Sequence, residues 1–323
     1  MAGILAIDGG GTKTILATAS RDGAIGSWLE GAGINPVDNP DWLASFEALV
    51  RTAGEAAGAC DHAVLALPAY GEIAAVTQSQ HQAAASVFGR SHAILNDVEA
   101  AHIAAFAGGP GVLILAGTGS MAWAIDERGK SLRVGGWGDA FGDEGSAFWI
   151  GRETIARVSQ ALDGRLTAPA LAEAVFAFLG LDRADPPRAL LQWHVELSHP
   201  RSEIAALSVL IDRLAKAGDQ AAAAILDEAA DHLARHVEAA WRRMDARPYR
   251  SWSYAGGVFA SRGVLTRLTA RLGAPPTPPR LPPIGGALLR AAQDLDWPVD
   301  QAWIERLGAS ITEHASHARN GRT

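Results

Sequence analysis

The stretch Ile4-Leu5-Ala6-Ile7-Asp8-Gly9-Gly10-Gly11-Thr12-Lys13-Thr14 restricts this chain more than any other. Four apolar residues run into a carboxylate, three glycines, and then small hydroxyl and basic side chains. The apolar run predicts a short buried strand and Lys13 to Ala19 a second one, joined by a glycine turn. Without Cβ atoms such a turn can adopt φ > 0 and bring its backbone close to a ligand. Its N–H groups can form a concave nest for an anion, phosphate above all. Gly10, Gly11, Thr12 and Lys13 are therefore expected to hold nucleotide phosphates. Asp8, at the strand end, is expected to join the shell of a Mg²⁺ ion carried by them, through water. The plainer alternative is an ordinary glycine-rich hairpin, and the rest of the chain decides between the two.

The arrangement recurs. After the first turn, Arg21-Asp22-Gly23 signals a hairpin and Ala24 to Leu29 a third strand. Further on, Val112 to Leu115 predicts a strand running into Ala116-Gly117-Thr118-Gly119-Ser120. A strand Met121 to Ile125, a turn at Glu127-Arg128-Gly129 and a strand Lys130 to Val134 follow. Gly11 and Gly119 are 108 positions apart, and Gly23 and Gly129 are 106 apart. So steady an offset predicts two similar domains, and 323 residues suffice for two. Thr118, Gly119 and Ser120 become the second nest, and a polyphosphate gripped from both sides the expected ligand.

Between the repeats, Asp41 to Gly58 and Ile73 to Phe88 predict helices, and Ala63 to Leu67 and Ala93 to Leu95 buried strands. The second of these strands ends in Asn96-Asp97, ahead of a helix from Val98 to Phe106. At that junction Asp97 reads either as a helix N-cap or as a catalytic carboxylate, and one position can serve both. From Gly135 to Ala147, five glycines and three carboxylates in thirteen residues make a poor core and a good binding loop. Arg152 to Ala246 predicts mostly helix, broken at Asp163-Gly164 and Asp185-Pro186-Pro187. His232 and His236 lie one helical turn apart but lack a third ligand, and are expected on the helix surface. The strand Trp252 to Ala255 ends in Gly256-Gly257, a turn able to pass close over a purine. Six prolines in the nine residues 275–283 form a stiff connector to a helix from Ile284 to Ala292. Ser310 to Thr323 is polar and expected to fray.

A net charge of −7 without Lys/Arg clusters argues against a nucleic-acid partner. No apolar run is long enough to span a membrane, and too little precedes Asp8 for a signal peptide, so the expected location is the cytoplasm. Cys60 is the only cysteine, which rules out an intramolecular disulfide or a cysteine-built metal site within one chain.

Asp8-Gly9-Gly10-Gly11-Thr12, Asn96-Asp97, Ala116-Gly117-Thr118-Gly119-Ser120, Ala255-Gly256-Gly257-Val258-Phe259 and Ile284-Gly285-Gly286-Ala287 stand in the order of two phosphate loops, connecting segments and an adenosine loop. That order resembles the actin-like ATPase and sugar-kinase superfamily. Gly135-Gly136-Trp137-Gly138 followed by Gly142-Asp143-Glu144-Gly145-Ser146 is similar to the N-acetylglucosamine kinases and the related BadF/BcrA-type ATPases. The resemblance covers nearly the whole chain. It implies an α/β fold of two actin-like (ribonuclease H-like) domains facing across a nucleotide-binding cleft. The expected division is residues 1–110, rejoined by a C-terminal helix at about 295–310, and residues 111–290 with a helical insertion.

The resemblance further implies ATP-dependent phosphorylation of N-acetylglucosamine or glucosamine at the 6-hydroxyl. It makes Asp97 the general base, and Asn35 and Asp143 sugar ligands. Gly256 and Gly257 would bind the adenosine. Trp137 offers such a sugar a flat apolar wall, and Glu144 a further acceptor. The expected cofactors are ATP and Mg²⁺ and the expected partner a small amino sugar; a homodimer is compatible with this. Two departures stand out. The family's Gly-Leu-Ala-Gly or Ser-Gly-Gly type loop is replaced by Leu67-Pro68-Ala69-Tyr70-Gly71-Glu72, and the cysteine cluster of the ROK-type kinases is missing, which excludes that branch. The alternatives are a kinase for another sugar, such as a muramic-acid derivative, and a BadF/BcrA-type ATPase without sugar kinase activity. A dehydratase activator would need a cysteine-bound cluster, and a sugar-sensing regulator a DNA-binding module for which no room is expected ahead of the first strand.

Overall fold

A computed structural model describes residues 3–11, 13–88, 91–244 and 250–320. The chain divides into two compact units, one of Met1–Gly111 with Thr277–Thr323, the other of Val112–Pro276.

In the first unit, β1 (Gly3–Gly9), β2 (Lys13–Ser20) and β3 (Ile25–Ala32) form the expected meander. α1 (Trp42–Gly58), β4 (His62–Leu67), α2 (Ala74–Val87), β5 (His92–Asn96) and α3 (Asp97–Phe106) follow. The strands pair in the order β3-β2-β1-β4-β5. β1 runs antiparallel to β2 and parallel to β4, so the sheet changes direction at the strand that carries Asp8. Both faces are covered, which is why these strands read as continuous apolar runs. Leu5 and Ile7 face Phe46 and Leu49 of α1 and Ala83 and Ala84 of α2. Ile4 and Ala6 point the other way, into the layer containing Ala100 and Ala104 of α3.

The second unit repeats the meander with β6 (Gly111–Ala116), β7 (Ser120–Ile125) and β8 (Ser131–Gly135). It continues through α4 (Ala147–Leu162), α5 (Pro169–Leu179), α6 (Pro186–Glu196), α7 (Pro200–Lys216), α8 (Gln220–Arg243), β9 (Trp252–Ala255) and α9 (Arg262–Leu272). Its sheet has the order β8-β7-β6-β9, with β9 parallel to β6. The helical region has a break at Leu197–His199 that the sequence did not announce, closed by Pro200 at the start of α7.

The chain then returns to the first unit as α10 (Pro283–Asp294) and α11 (Gln301–Asn320). Residues 277–290, expected in the second domain, therefore belong to the first. α10 packs so tightly on α3 that a Cβ on Gly286 would lie 1.9 Å from the Ala100 carbonyl oxygen. The expected fraying from Ser310 gives way to a helix through Asn320, anchored by Ile311, 1% exposed, and by Ser310 Oγ accepting from Ile25 N–H at 3.0 Å.

Candidate active site

The turn after β1 is held by Gly10, whose N–H donates to the Lys13 carbonyl at 3.0 Å and whose carbonyl accepts from Ile34 N–H at 3.0 Å. Gly9, Gly10 and Gly11 do not adopt the left-handed conformation that the sequence allowed them. Glycine is needed for space instead. A Cβ on Gly10 would sit 2.9 Å from the Lys13 carbonyl oxygen, and one on Gly9 would sit 2.8 Å from Ile34 Cδ1. Thr12 lies outside the described residues.

Lys13 bridges β2 and β3 through Glu30 at 2.8 Å, and its charge also bears on Asp8. Asn35 lies beside the turn, in the loop that follows β3. Its amide donates to Asp38 Oδ2 at 2.6 Å and its Oδ1 accepts from Val37 N–H at 3.1 Å.

The β5–α3 junction separates the two roles the sequence left merged at Asp97. The N-cap is Asn96, whose Oδ1 accepts from Val98 N–H at 3.0 Å. Asp97 is the first helical residue, and its Oδ1 accepts from the same N–H at 3.0 Å. Burial, and next the charge of Glu72, push the Asp97 carboxyl up to about 7. Burial pushes Asp8 up to about 7 as well, with Asp97 adding to the shift and Lys13 opposing it. Asp8 thus feels the charge of Asp97, and Asp97 that of Glu72, so negative charge accumulates at this end of the sheet.

Among the described residues no set of three or more His, Cys, Asp or Glu side chains could cage a metal. A Mg²⁺ ion carried by a nucleotide needs no such cage, because it keeps most of its waters and takes one or two carboxylates together with phosphate oxygens.

In the second unit, the turn 117–120 is bound to the start of α4. Ala147 N–H donates to the Gly117 carbonyl at 2.8 Å and Phe148 N–H to that of Thr118 at 3.3 Å. Ser120 donates its N–H to Asp143 Oδ1 at 3.1 Å and its hydroxyl to the Glu144 carbonyl at 2.8 Å. Asp143 is 3% exposed, and its other oxygen accepts from Arg201 Nη2 at 2.6 Å. A Cβ on Gly119 would come within 2.7 Å of that Arg201 nitrogen and 2.8 Å of Asp143 Oδ1. Asp143 thus anchors the turn, a role the sequence did not show; a carboxylate's spare lone pairs still leave it room to accept from a further ligand. Arg201, at the start of α7, was not anticipated. No local signal marks it, because its partner is 58 residues away.

Gly256 has φ +104°, and a Cβ there would lie 2.3 Å from the Ala116 carbonyl oxygen, so the loop after β9 touches the end of β6. Gly257 is open on its Cβ side and borders a cavity of ≈ 130 Å³ that also meets Ser208, Asp212 and Ser261. Trp137 is 64% exposed, with the Arg133 guanidinium 5.1 Å from its ring centroid. Glu144 Oε2 lies 3.8 Å from His236 Nε2. His236 is not the surface residue expected of it. It is 8% exposed, and its Nδ1 meets the His232 carbonyl at 2.8 Å.

A profile of the BadF/BadG/BcrA/BcrD ATPase family matches residues 5–291. The chain belongs to this family. Over 146 residues it is 31% identical to an N-acetylmuramic acid/N-acetylglucosamine kinase of Clostridium acetobutylicum, covering 45% of this chain and 47% of that one. Over 164 residues it is 28% identical to an N-acetyl-D-glucosamine kinase of Dictyostelium discoideum, covering 50% of each. The chain thus spans about half the length of the curated relatives it matches. Among solved structures, a candidate N-acetylglucosamine kinase from Chromobacterium violaceum matches with TM-score 0.74 and 25% identity over 90% of this chain and 98% of that one. A ROK family glucokinase from Streptomyces griseus, in complex with glucose and AMPPNP, matches with TM-score 0.54 and 17% identity over 90% and 99%, a likeness of fold alone. The two-sheet α/β architecture is that of the actin-like ATPases and sugar kinases. No described helix is long and apolar enough to cross a membrane.

Proposed function

We propose that this protein is an ATP-dependent hexosamine kinase that phosphorylates the 6-hydroxyl of N-acetylglucosamine or glucosamine. The observation that carries the reading is Asp97, a carboxylate at the start of α3 whose affinity for a proton is raised to near neutrality. Phosphoryl transfer needs alignment and charge neutralisation more than covalent help, and one group to take the acceptor's proton. A base matched to the working pH contributes about 10²–10⁴-fold. The names of the two kinase relatives support the same reading.

In this scheme the 6-hydroxyl oxygen bonds to the γ-phosphorus, the bond from that phosphorus to the bridging oxygen breaks, ADP leaves, and Asp97 takes the hydroxyl proton. Gly10, Gly11 and Lys13 in the first unit, and Thr118, Gly119 and Ser120 in the second, bind the phosphates; Thr12 belongs to the same turn. Gly256 and Gly257 border the adenosine. Asp8 would hold Mg²⁺, which neutralises phosphate charge when bound. Asn35, Trp137, Asp143 and Glu144 bind the sugar.

One observation favours a second reading, a kinase for a sugar that carries a carboxylate, such as N-acetylmuramic acid. Arg133 places a cation over Trp137, and the clostridial relative is named for that sugar as well. Coupled ADP release over glucosamine, N-acetylglucosamine, N-acetylmuramic acid and glucose tests both. We expect kcat/KM for the preferred amino sugar at least about tenfold above glucose, because a site built around a nitrogen substituent rejects sugars that lack it. Equal activity with glucose overturns the amino-sugar assignment, and no stimulation by any sugar returns the chain to an ATPase without kinase activity.

A further inference from the structure

The loop 67–72, where the sequence departs from the family pattern, is built into the same corner as Asp97. It is held from α2 by Gln80, whose amide donates to the Pro68 carbonyl at 2.8 Å, and by Thr77 Oγ1, which accepts from Gly71 N–H at 2.9 Å. Tyr70 adds an edge-on ring contact to His81, with centroids 5.4 Å apart. Ala69 sits at φ +58°, a conformation that side chains other than glycine adopt only where their surroundings enforce it.

From this braced loop two contacts reach across to the β5–α3 junction. Both come from the amide of Asn96, which is 3% exposed. It donates to the Tyr70 carbonyl at 2.9 Å and to Glu72 Oε1 at 2.9 Å. The oxygen of the same side chain caps α3 through Val98 N–H. Asn96 therefore has each polar atom committed, one end to the loop and the other to the turn of helix that begins with Asp97. Of its two loop partners, only Glu72 is a side chain, and a hydrogen bond to a charged acceptor is the stronger kind.

We propose that Glu72 is a positioning residue: its carboxylate tethers Asn96 and so fixes the helix start that aims Asp97. The inference rests on the kinase reading for its effect on turnover but not for the tether itself. Glu72 makes no covalent or proton-transfer contribution in this scheme. It removes freedom from the one side chain that must meet the acceptor hydroxyl in a narrow geometry, where small misplacements cost rate rather than nucleotide binding.

Three substitutions separate reach from charge. Glu72→Gln keeps an acceptor at the same length and loses the charge. Glu72→Asp keeps the charge and is too short to meet Asn96. Glu72→Ala loses both. The readouts are kcat, KM for Mg·ATP, and hydrogen exchange at the Val98 amide. We expect Glu72→Asp and Glu72→Ala to lose about tenfold in kcat with KM for ATP within about twofold of the parent, and to exchange Val98 faster. Glu72→Gln should retain at least about half of the parent kcat and its slow exchange. Asn96→Ala, which also removes the cap and the Tyr70 contact, should fall at least as far as Glu72→Ala, and the double variant should be no worse than Asn96→Ala, as for two partners in one interaction. The proposal is overturned if Glu72→Asp keeps the parent kcat and exchange rate, if Glu72→Gln falls as far as Glu72→Asp, or if the two alanine effects add. Should the parent itself phosphorylate no sugar, the kinase reading fails, and unchanged Val98 exchange in Glu72→Asp still decides against the tether.

Discussion

The two glycine turns look alike in sequence and differ in how they handle charge. Around the first, carboxylates gather: Asp8 and Asp97 are both pushed up to about 7, and Glu72 adds to the effect at Asp97. Lys13, nearest in sequence, divides its charge between Asp8 and the Glu30 pair. Around the second, the buried carboxylate Asp143 already has its cation, Arg201, and the pair holds the turn. The first turn thus leaves its carboxylate charge largely uncompensated, and the second has its buried charge paired within the fold. A repeat visible in the sequence has been put to two uses.

The sharpest way to break this comparison is at the first turn. Asp97→Asn should fold, bind Mg·ATP and lose on the order of 10²-fold or more in sugar-dependent kcat. Near-parent kcat would leave Asp97 as a helix-start residue and nothing more.

The next largest effect belongs to the second turn. Arg201→Ala leaves Asp143 buried without its cation and should cost about 2–4 kcal/mol in urea unfolding, towards the lower end because Arg201 is itself partly exposed. Lys13→Ala, where Lys13 is itself 45% exposed and Glu30 keeps the Trp28 indole N–H as a donor at 3.3 Å, should cost about 1 kcal/mol. Equal costs would erase the distinction between the turns.

Space sharpens it further. Gly119→Ala should destabilise by about 1–3 kcal/mol and weaken ATP binding in calorimetry, because the added methyl meets Arg201 and Asp143. Gly11→Ala, whose Cβ would meet only Asp38 Oδ2, at 3.7 Å, among the described residues, should be tolerated by the fold.

The smallest effect is on pH dependence. Asp8 and Asp97 bind a proton more tightly folded than unfolded, their values rising from 3.8 to about 7. Their contribution to stability is therefore fully present below about pH 4 and is lost as pH rises from there through about 7. Asp97→Asn should flatten this decline and raise Tm at pH 8 by several degrees. A melting curve at pH 8 unchanged by the substitution would show that the Asp97 carboxyl titrates normally.

Much of the site was legible because it is local. The strand–glycine–strand pattern located both turns, and Asn96-Asp97 at the end of an apolar run located the junction. The pattern misjudged why the turns need glycine. It offered positive φ, whereas Gly9 and Gly119 are required by atoms that arrive from elsewhere, the Ile34 and Pro68 side chains and the Asp143–Arg201 pair. His236 was misplaced for a similar reason. Its spacing from His232 says which helix face it occupies, not that the loop at Gly135 and Glu144 covers that face.

By itself, then, the sequence determined the strands, the two turns, the first three helices and the duplicated meander. Those follow from apolar periodicity and backbone restrictions acting over a few residues. Tertiary structure alone decided that Glu72 reaches Asn96 across 24 residues and Arg201 reaches Asp143 across 58. It also decided that the last helices return to the first unit, where Trp303 Nε1 donates to the Arg21 carbonyl across 282 residues. Such partners are chosen by how whole elements pack, and the spacing of residues along the chain carries no trace of that choice.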